Sequence, residues 1–392
     1  MKTVKILSVS VLCVGLAIVL YLHAARQGSV SVNPESDPVK KEAVPDFVSR
    51  SLRVSGWLPY WGKDAGIASL AGKMELFDEI DAFAFGVKPD GSLTDTARVS
   101  DAPWTTFRDA VKDGHTAIIP TILWGDAAAM HRVFTDEALL ARHVDELAAT
   151  LDRDGFSGVD IDYEGKDVAD RDAFSMFLTA LHERLSSAKK TVSCTVEART
   201  DDTPPSGWSG TRAMAYANDY AVLDRECDEV RIMAYDEAFQ VHGEHQSFES
   251  ADTAPIAPNA DITWVEAVMR YALRSVAPEK LMIGVPTYGW EFRVTKTGSG
   301  YRYERVRSID YPEAMAEAKS AGVTPERTNG GELSFIYHAK DGEHVVTFDD
   351  AESLQQKIEL AKRLGLKGAS LFKLDGGTDP ELFSAIAKEV GK

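Results

Sequence analysis

From Val54 onward the chain repeats one pattern: a short β-rich apolar run, a polar turn, then a longer stretch with apolar residues at helical spacing. The runs that read as strands are Val54 to Leu58, Ile80 to Val87, Ala117 to Leu123, Gly158 to Tyr163, Thr191 to Val196, Glu229 to Ala234, Leu281 to Pro286 and Gly368 to Leu374. Helical segments fit between most of them, at Glu137 to Asp152, Asp170 to Ser187, Thr263 to Ser275 and Ser353 to Leu364. Eight such strands in series predict an α/β fold, a TIM (β/α)8 barrel in preference to an open doubly wound sheet. Residues 292–345 break the rhythm: strand-like pieces at Tyr301 to Val306 and Ser334 to His338 flank one helix, which predicts a small α+β insertion between strands seven and eight.

Ahead of this region the pattern is different. Lys2 and Lys5 precede an unbroken apolar run from Ile6 to Leu22, the charged-then-apolar order of an export signal, so residues 1–26 read as a signal peptide or a signal anchor. Cleavage after Ala24 or Ala25 would leave Leu22 or His23 where a small residue is favoured, and the lysines place the N-terminus inside and the bulk of the chain outside. The expectation is a cell-membrane protein with a single-pass N-terminal anchor, or a secreted one if the segment is cleaved. Leu12 before Cys13 is too large for lipid attachment at that cysteine. Residues 27–50, with Asn33-Pro-Glu-Ser-Asp-Pro38, read as a flexible linker, and 51–392 as one barrel domain beginning near Val54.

Composition narrows the partners. The net charge is −18 although the first 26 residues are basic, so the domain repels polyanions. Nucleic acid is excluded as a partner, while a neutral polymer such as a glycan meets no barrier. Three cysteines form no metal-binding spacing, and no metal or cofactor is implied. Cys194 and Cys227 sit beside neighbouring predicted strands; a bond between them is one option, two buried free thiols the plainer one.

The most informative stretch is Asp154-Gly-Phe-Ser-Gly-Val-Asp160-Ile-Asp162-Tyr-Glu164. Strand side chains alternate, so Asp160, Asp162 and Glu164 share one face while Ile161 and Tyr163 take the other. If the acids point into the barrel they climb toward the C-terminal ends of the strands, where such folds place their active sites. Three carboxylates in a core cost several kcal/mol unless partners or shared protons offset them. Mutual repulsion should then raise the pKa of one member and leave it protonated near neutral pH, fit to act as a general acid.

This stretch resembles the DxxDxDxE signature of glycoside hydrolase family 18, the chitinase and endo-β-N-acetylglucosaminidase family, in its bacterial cell-wall-hydrolase-like branch; Ser157 stands where the first Asp is usual. Arg231-Ile-Met-Ala-Tyr-Asp236 resembles the family's MxYD, Gly284-Val-Pro-Thr-Tyr-Gly289 its GxPxYG, and Phe348-Asp-Asp-Ala-Glu-Ser353 its FDDxxS. Two features depart from it: Pro120-Thr-Ile-Leu-Trp124 replaces the SxGG motif, and Phe372 stands where a tryptophan commonly floors the sugar site.

The resemblance implies a retaining glycosidase that hydrolyses β-1,4 bonds of N-acetylglucosamine-containing polysaccharide, chitin-like or peptidoglycan, by substrate-assisted catalysis. Glu164 would be the acid, with Asp162, Asp160 and Tyr235 completing the catalytic set and Asp236 and Met233 at the N-acetyl group. Some members of the family bind carbohydrate without cleaving it, and the presence of Glu164 argues for the enzyme. A monomer is expected. Among aromatic residues near strand ends, Tyr60, Tyr288, Trp290 and Phe372 are candidates for sugar stacking, as are Trp57, Trp61 and Trp124, although aromatic residues also fill cores. His242 and His245 could meet at a metal, but a solvated loop is the simpler reading.

Overall fold

The computed structural model describes residues 52–391, apart from 244 and 245. The apolar run at 6–22, the linker and His245 therefore lie outside the described residues. Among those described, no helix is long and apolar enough to cross a membrane.

The barrel is built from β1 (Arg53–Pro59), β2 (Glu79–Val87), β4 (Ala117–Trp124), β5 (Gly158–Tyr163), β6 (Thr191–Glu197), β7 (Glu229–Met233), β9 (Leu281–Pro286) and β15 (Gly368–Phe372). Each is parallel to its neighbours in the order β1-β15-β9-β7-β6-β5-β4-β2, and pairing of β1 with β2 closes the ring. Closure leaves no edge among these eight strands, and β3 (Leu93–Asp95) adds antiparallel to β2. Helices including Glu137–Asp154, Arg171–Ser186, Ile262–Ala272 and Ala351–Arg363 surround it.

Local chemistry sets the helix limits. Asp136 caps the first of these helices by accepting from the Ala138 and Leu139 N–H groups, and Gly155 ends it at φ 70°, a left-handed turn that glycine adopts without penalty. Gly158 then lets β5 approach β6 closely, since a Cβ there would meet the Thr191 backbone oxygen at 2.8 Å.

The main core lies between the outward faces of the strands and the helices. On β5, Val159, Ile161 and Tyr163 face that layer; the Tyr163 ring stacks on Phe177 at 5.4 Å and its hydroxyl lies 2.8 Å from His143 Nε2. Each such buried apolar side chain stabilises the fold by about 1.5–3 kcal/mol. The alternation thereby turns Asp160 and Asp162 inward.

Between β9 and β15 run β10 (Tyr288–Lys296), β11 (Tyr301–Asp310), the helix Tyr311–Ala321, β12 (Glu326–Arg327), β13 (Leu333–Ala339) and β14 (Gly342–Phe348). Their antiparallel sheet, in the order β12-β13-β14-β10-β11-β8, also recruits β8 (Ser247–Ser250) from the segment after β7. This sheet starts at Tyr288, earlier than the sequence pattern suggests, because only Thr287 separates β9 from β10 and no turn residue announces the change.

Of the two states open to Cys194 and Cys227, free thiols or a bond, the structure has the disulfide, with Cα atoms 6.0 Å apart. Cys194 pairs in register with Val230, so the segment entering β7 brings Cys227 alongside it.

Candidate active site

The acidic ladder is built differently at each rung. Asp160, fully buried, receives three side-chain donors: Trp57 Nε1 and Thr121 Oγ1 on Oδ2, each at 2.9 Å, and Thr195 Oγ1 on Oδ1 at 2.8 Å. Arg231 Nη1 stands 3.9 Å away and also pairs with Asp81 at 2.5 Å, while its Nη2 meets Glu229 at 3.1 Å and Glu79 as a fourth partner. The base of the barrel is therefore an ionic cluster around one buried guanidinium, and Asp160 belongs to it.

Asp162, one rung up, has no such support. It is 2% exposed, and its Oδ1 makes no hydrogen bond. Burial raises its pKa well above the usual carboxylate range, and the charges of Glu164, Asp160 and Glu197 push it further, against Lys166. Glu164 follows the last residue of β5, half-buried, with its backbone N–H on the Trp124 carbonyl at 2.8 Å. Its pKa is pushed up to about 7, first by burial and then by Glu197 and Asp236, with Lys166 opposing. Repulsion, which the sequence pattern puts first, is thus second to desolvation at both carboxyls.

Two residues missed in the sequence hold the loop that follows Glu164. Glu197, fully buried at the end of β6, accepts from Gly165 N at 3.3 Å and from Asn218 Nδ2 at 2.7 Å. Lys166, 1% exposed, lies 3.7 Å from Glu197 Oε2, donates to the Tyr163 carbonyl and sits 4.7 Å from the centre of the Phe174 ring. Ser193, Thr195 and Glu197 recur at alternate positions of β6, the same signal that exposes the acids of β5.

Across the barrel mouth, Met233 ends β7 and is buried, and Tyr235 follows, stacked on Phe372 at 5.5 Å and 12°. Burial keeps the Tyr235 hydroxyl protonated, its pKa raised further by Asp162 and Glu164. Asp236 adopts φ 58° and ψ 34°, a left-handed conformation uncommon outside glycine and concentrated at functional sites. It is held there by its N–H on Asn259 Oδ1 at 3.1 Å and by donors from Tyr288 and Trp290, at 2.6 and 2.7 Å, on its Oδ1.

The aromatic candidates divide. Phe372 and Trp290 are half-buried, and Tyr60 (37% exposed) and Trp61 (52%) stand in the turn after β1, with Trp61 edge-on to Phe83 and Phe83 against Phe372. Trp57 is wholly buried on Asp160. Trp124 is buried against Phe134 and Tyr163 on the helix side of the barrel. Neither can stack on a sugar. Tyr288 is buried too, and its role is the hydrogen bond to Asp236. His242 stacks on Phe248 at 4.3 Å, and no cluster of metal-ligating side chains occurs among the described residues.

A carboxyl tuned to about pH 7 at a barrel mouth, above a buried acid and opposite a tyrosine–aspartate pair, is suited to proton transfer on a bound glycan. The sequences of known proteins agree with that reading. The chain is 25% identical over 319 residues to the uncharacterized glycosylase YvbX of Bacillus subtilis, covering 79% of this chain and 83% of that one. It is 25% identical over 300 residues to the cortical fragment-lytic enzyme of the same organism, covering 75% of this chain and 63% of the relative. In fold it matches the crystal structure of a chitinase from Chromobacterium violaceum with a TM-score of 0.71, at 23% identity and over 87% of this chain and 99% of that one. The profile of "Glycosyl hydrolases family 18" spans residues 83–377, from β2 through the acid ladder and the Tyr235–Asp236 pair to Phe372, and the chain belongs to that family.

Proposed function

We propose that the protein is an exported, retaining glycosidase that cleaves β-1,4 bonds of N-acetylglucosamine-containing polysaccharide, with the substrate's own acetamide as nucleophile. The observation that carries this reading is the place of Glu164 at the mouth of the barrel, one rung above the buried Asp162, where burial pushes the Glu164 pKa up to about 7 and raises that of Asp162 as well. The family is an exception to the two-carboxylate scheme of glycosidases, so one acid and a clamp suffice.

In this reading Glu164 protonates the glycosidic oxygen while the acetamide oxygen attacks the anomeric carbon and the leaving sugar departs. Tyr235 donates to the acetamide oxygen and fixes its direction of attack. Asp162, as a carboxylate, accepts a hydrogen bond from the acetamide N–H and balances the positive charge that develops on the oxazolinium ring, with Asp160 fixed beneath it by its three donors. Asp236, locked by Tyr288 and Trp290, borders the same pocket, with Met233 below it and Phe372 as the apolar floor. Glu164, now ionised, draws a proton from water, which opens the ring and restores the β configuration.

Export is supported by the basic-then-apolar start at Lys2, Lys5 and Ile6 to Leu22, as a cleaved signal or an anchor, and by the Cys194–Cys227 bond, since disulfides persist in oxidising compartments. The substrate is a chitin-like oligomer or the glycan of peptidoglycan.

The test is incubation of the protein with chitohexaose and with purified peptidoglycan, wild type beside Glu164→Gln, with products read by mass spectrometry. Cleavage of either glycan that falls by roughly 10²–10⁴-fold in the variant is expected. Full activity in the variant would remove Glu164 from the chemistry, and binding without cleavage in the wild type would make this a carbohydrate-binding protein.

A further inference from the structure

Between β8 and the helix Ile262–Ala272 the chain passes through Pro258-Asn259-Ala260-Asp261, a stretch with no strand or helix of its own and no part in the motifs above. Asn259 is nevertheless wholly buried, and every polar group it has is used. Its backbone N–H donates to Glu332 Oε1 at 2.8 Å, and its carbonyl accepts from the Glu237 N–H at 2.9 Å. Its Oδ1 accepts from the Asp236 N–H at 3.1 Å, while its Nδ2 donates to the Tyr288 carbonyl at 2.9 Å and lies 3.4 Å from Asp349 Oδ2. The turn after β7, the start of β10, the residue before β13 and the residue after β14 thus meet at one asparagine.

Two of these bonds bear on Asp236. The first N–H groups of the helix Glu237–His242 have no partner within it and are filled from this stretch, Glu237 on the Asn259 carbonyl and Ala238 on that of Pro258 at 3.2 Å. The Asp236 N–H just ahead of them takes the Asn259 side chain instead, at the residue where the backbone turns to φ 58° and ψ 34°. A residue with a Cβ stays in that conformation only when its surroundings over-determine it. Through Nδ2 the same side chain fixes the backbone of Tyr288, whose hydroxyl donates to Asp236 Oδ1 at 2.6 Å. An amide suits both tasks because it carries an acceptor and a donor side by side. The place of Asp236 also matters to the acid, since its charge is one of those that raise the Glu164 pKa.

We propose that Asn259 is a positioning residue for the reaction: it holds Asp236 in its left-handed turn and so presents the Asp236 carboxylate to the sugar at the barrel mouth. This rests on the glycosidase reading above and deepens it, adding a buried residue that acts through Asp236.

The experiment compares Asn259→Ala and Asn259→Asp with the wild type in hydrolysis of chitohexaose and of purified peptidoglycan between about pH 5 and 8. Both substitutions are also made in an Asp236→Asn background, and the two single variants are crystallised. Alanine removes both side-chain bonds. Aspartate keeps the acceptor for the Asp236 N–H, but its second oxygen, when ionised, faces the Tyr288 carbonyl and Asp349 with no proton between them. Protonation restores a donor there. The charged groups around the position are Asp236, Glu237, Glu332 and Asp349, the last paired with Lys357 at 2.6 Å, so burial and neighbouring acids favour the protonated form as pH falls.

Both single variants should lose ~10–100-fold in kcat at about pH 7, the size of loss that a displaced group at a reacting centre produces. Relative to the wild type, Asn259→Asp should recover about threefold or more as pH falls to about 5, and Asn259→Ala should not. In the Asp236→Asn background, with no carboxylate left to place, Asn259→Ala should cost less than about threefold further. Wild-type turnover in both single variants, a loss in Asn259→Asp indifferent to pH, an equal loss with and without the Asp236 carboxylate, or an unmoved Asp236 backbone in the Asn259→Ala crystal overturns the proposal. Should Asn259→Ala fail to fold, the nearly isosteric Asn259→Asp carries the pH, background and crystal readings. A wild type that cleaves neither glycan would end the glycosidase reading, while the variant crystals decide separately whether Asn259 holds Asp236.

Discussion

Glu164→Gln should change stability in a way that depends on pH, because it removes a titrating group and keeps its shape. The carboxyl is raised from its ordinary value of 4.5 to about 7, by burial and then by Glu197 and Asp236 against Lys166. A folded-state value above the unfolded one means that the native state holds the proton more tightly. That contribution is complete below about pH 4.5 and is lost as pH rises through about 7. At about 1.36 kcal/mol per pH unit the full effect is about 3 kcal/mol, and the partial exposure of Glu164 screens it to roughly 2 kcal/mol.

Glutamine is neutral throughout and suffers no such loss. The variant should therefore gain roughly 2 kcal/mol on the wild type between about pH 4.5 and 8, which for a folded region of this size is a melting-point difference of about 3 °C. Scanning calorimetry of both proteins at acidic and alkaline pH measures it. A difference in Tm that is the same at both ends would show that the Glu164 charge is not destabilised by the fold, and the explanation of its raised pKa would fall.

Three further outcomes are expected. Turnover of chitohexaose should decline above about pH 7 as Glu164 loses its proton, and a profile flat to pH 9 would point to another acid. Replacing Cys194 and Cys227 by alanine opens a loop of 33 residues and should cost ~3–4 kcal/mol in urea unfolding; an unchanged midpoint would show that the bond does not form in the native protein. Arg231→Met strips Asp81 and Asp160 of their buried cation and should destabilise the fold by about 3–5 kcal/mol, also read in urea, whereas an unchanged midpoint would show that the guanidinium does not hold the base of the barrel together.

The strand series was legible because parallel barrel strands are covered on their outer faces by helices and filled within, so each reads as a compact apolar run between turns. The acid ladder was legible for the converse reason: charge at every second residue of such a run has only one face to occupy. Partnerships across strands were not legible, since they depend on register. Nothing in the chain places Trp57 or Thr195 at hydrogen-bond distance from Asp160, or Cys227 beside Cys194, until β1, β5, β6 and β7 are aligned.

Register also decided the tryptophans. Thr121 and Trp124 are three residues apart on β4, so with Thr121 inward on Asp160 the indole must face the helices. Glu197 was within reach of the alternation rule, had it been applied to the weaker polar pattern of β6. Asp236 shows the opposite limit, because a left-handed backbone at an aspartate leaves no mark in composition or periodicity.

The most direct test of the account is proton NMR of the sugar released in the first minutes of chitohexaose hydrolysis, before the anomers equilibrate. Attack by the acetamide followed by water predicts the β anomer as the initial product, and an initial α anomer would contradict the assisted mechanism and the place of Glu164 within it.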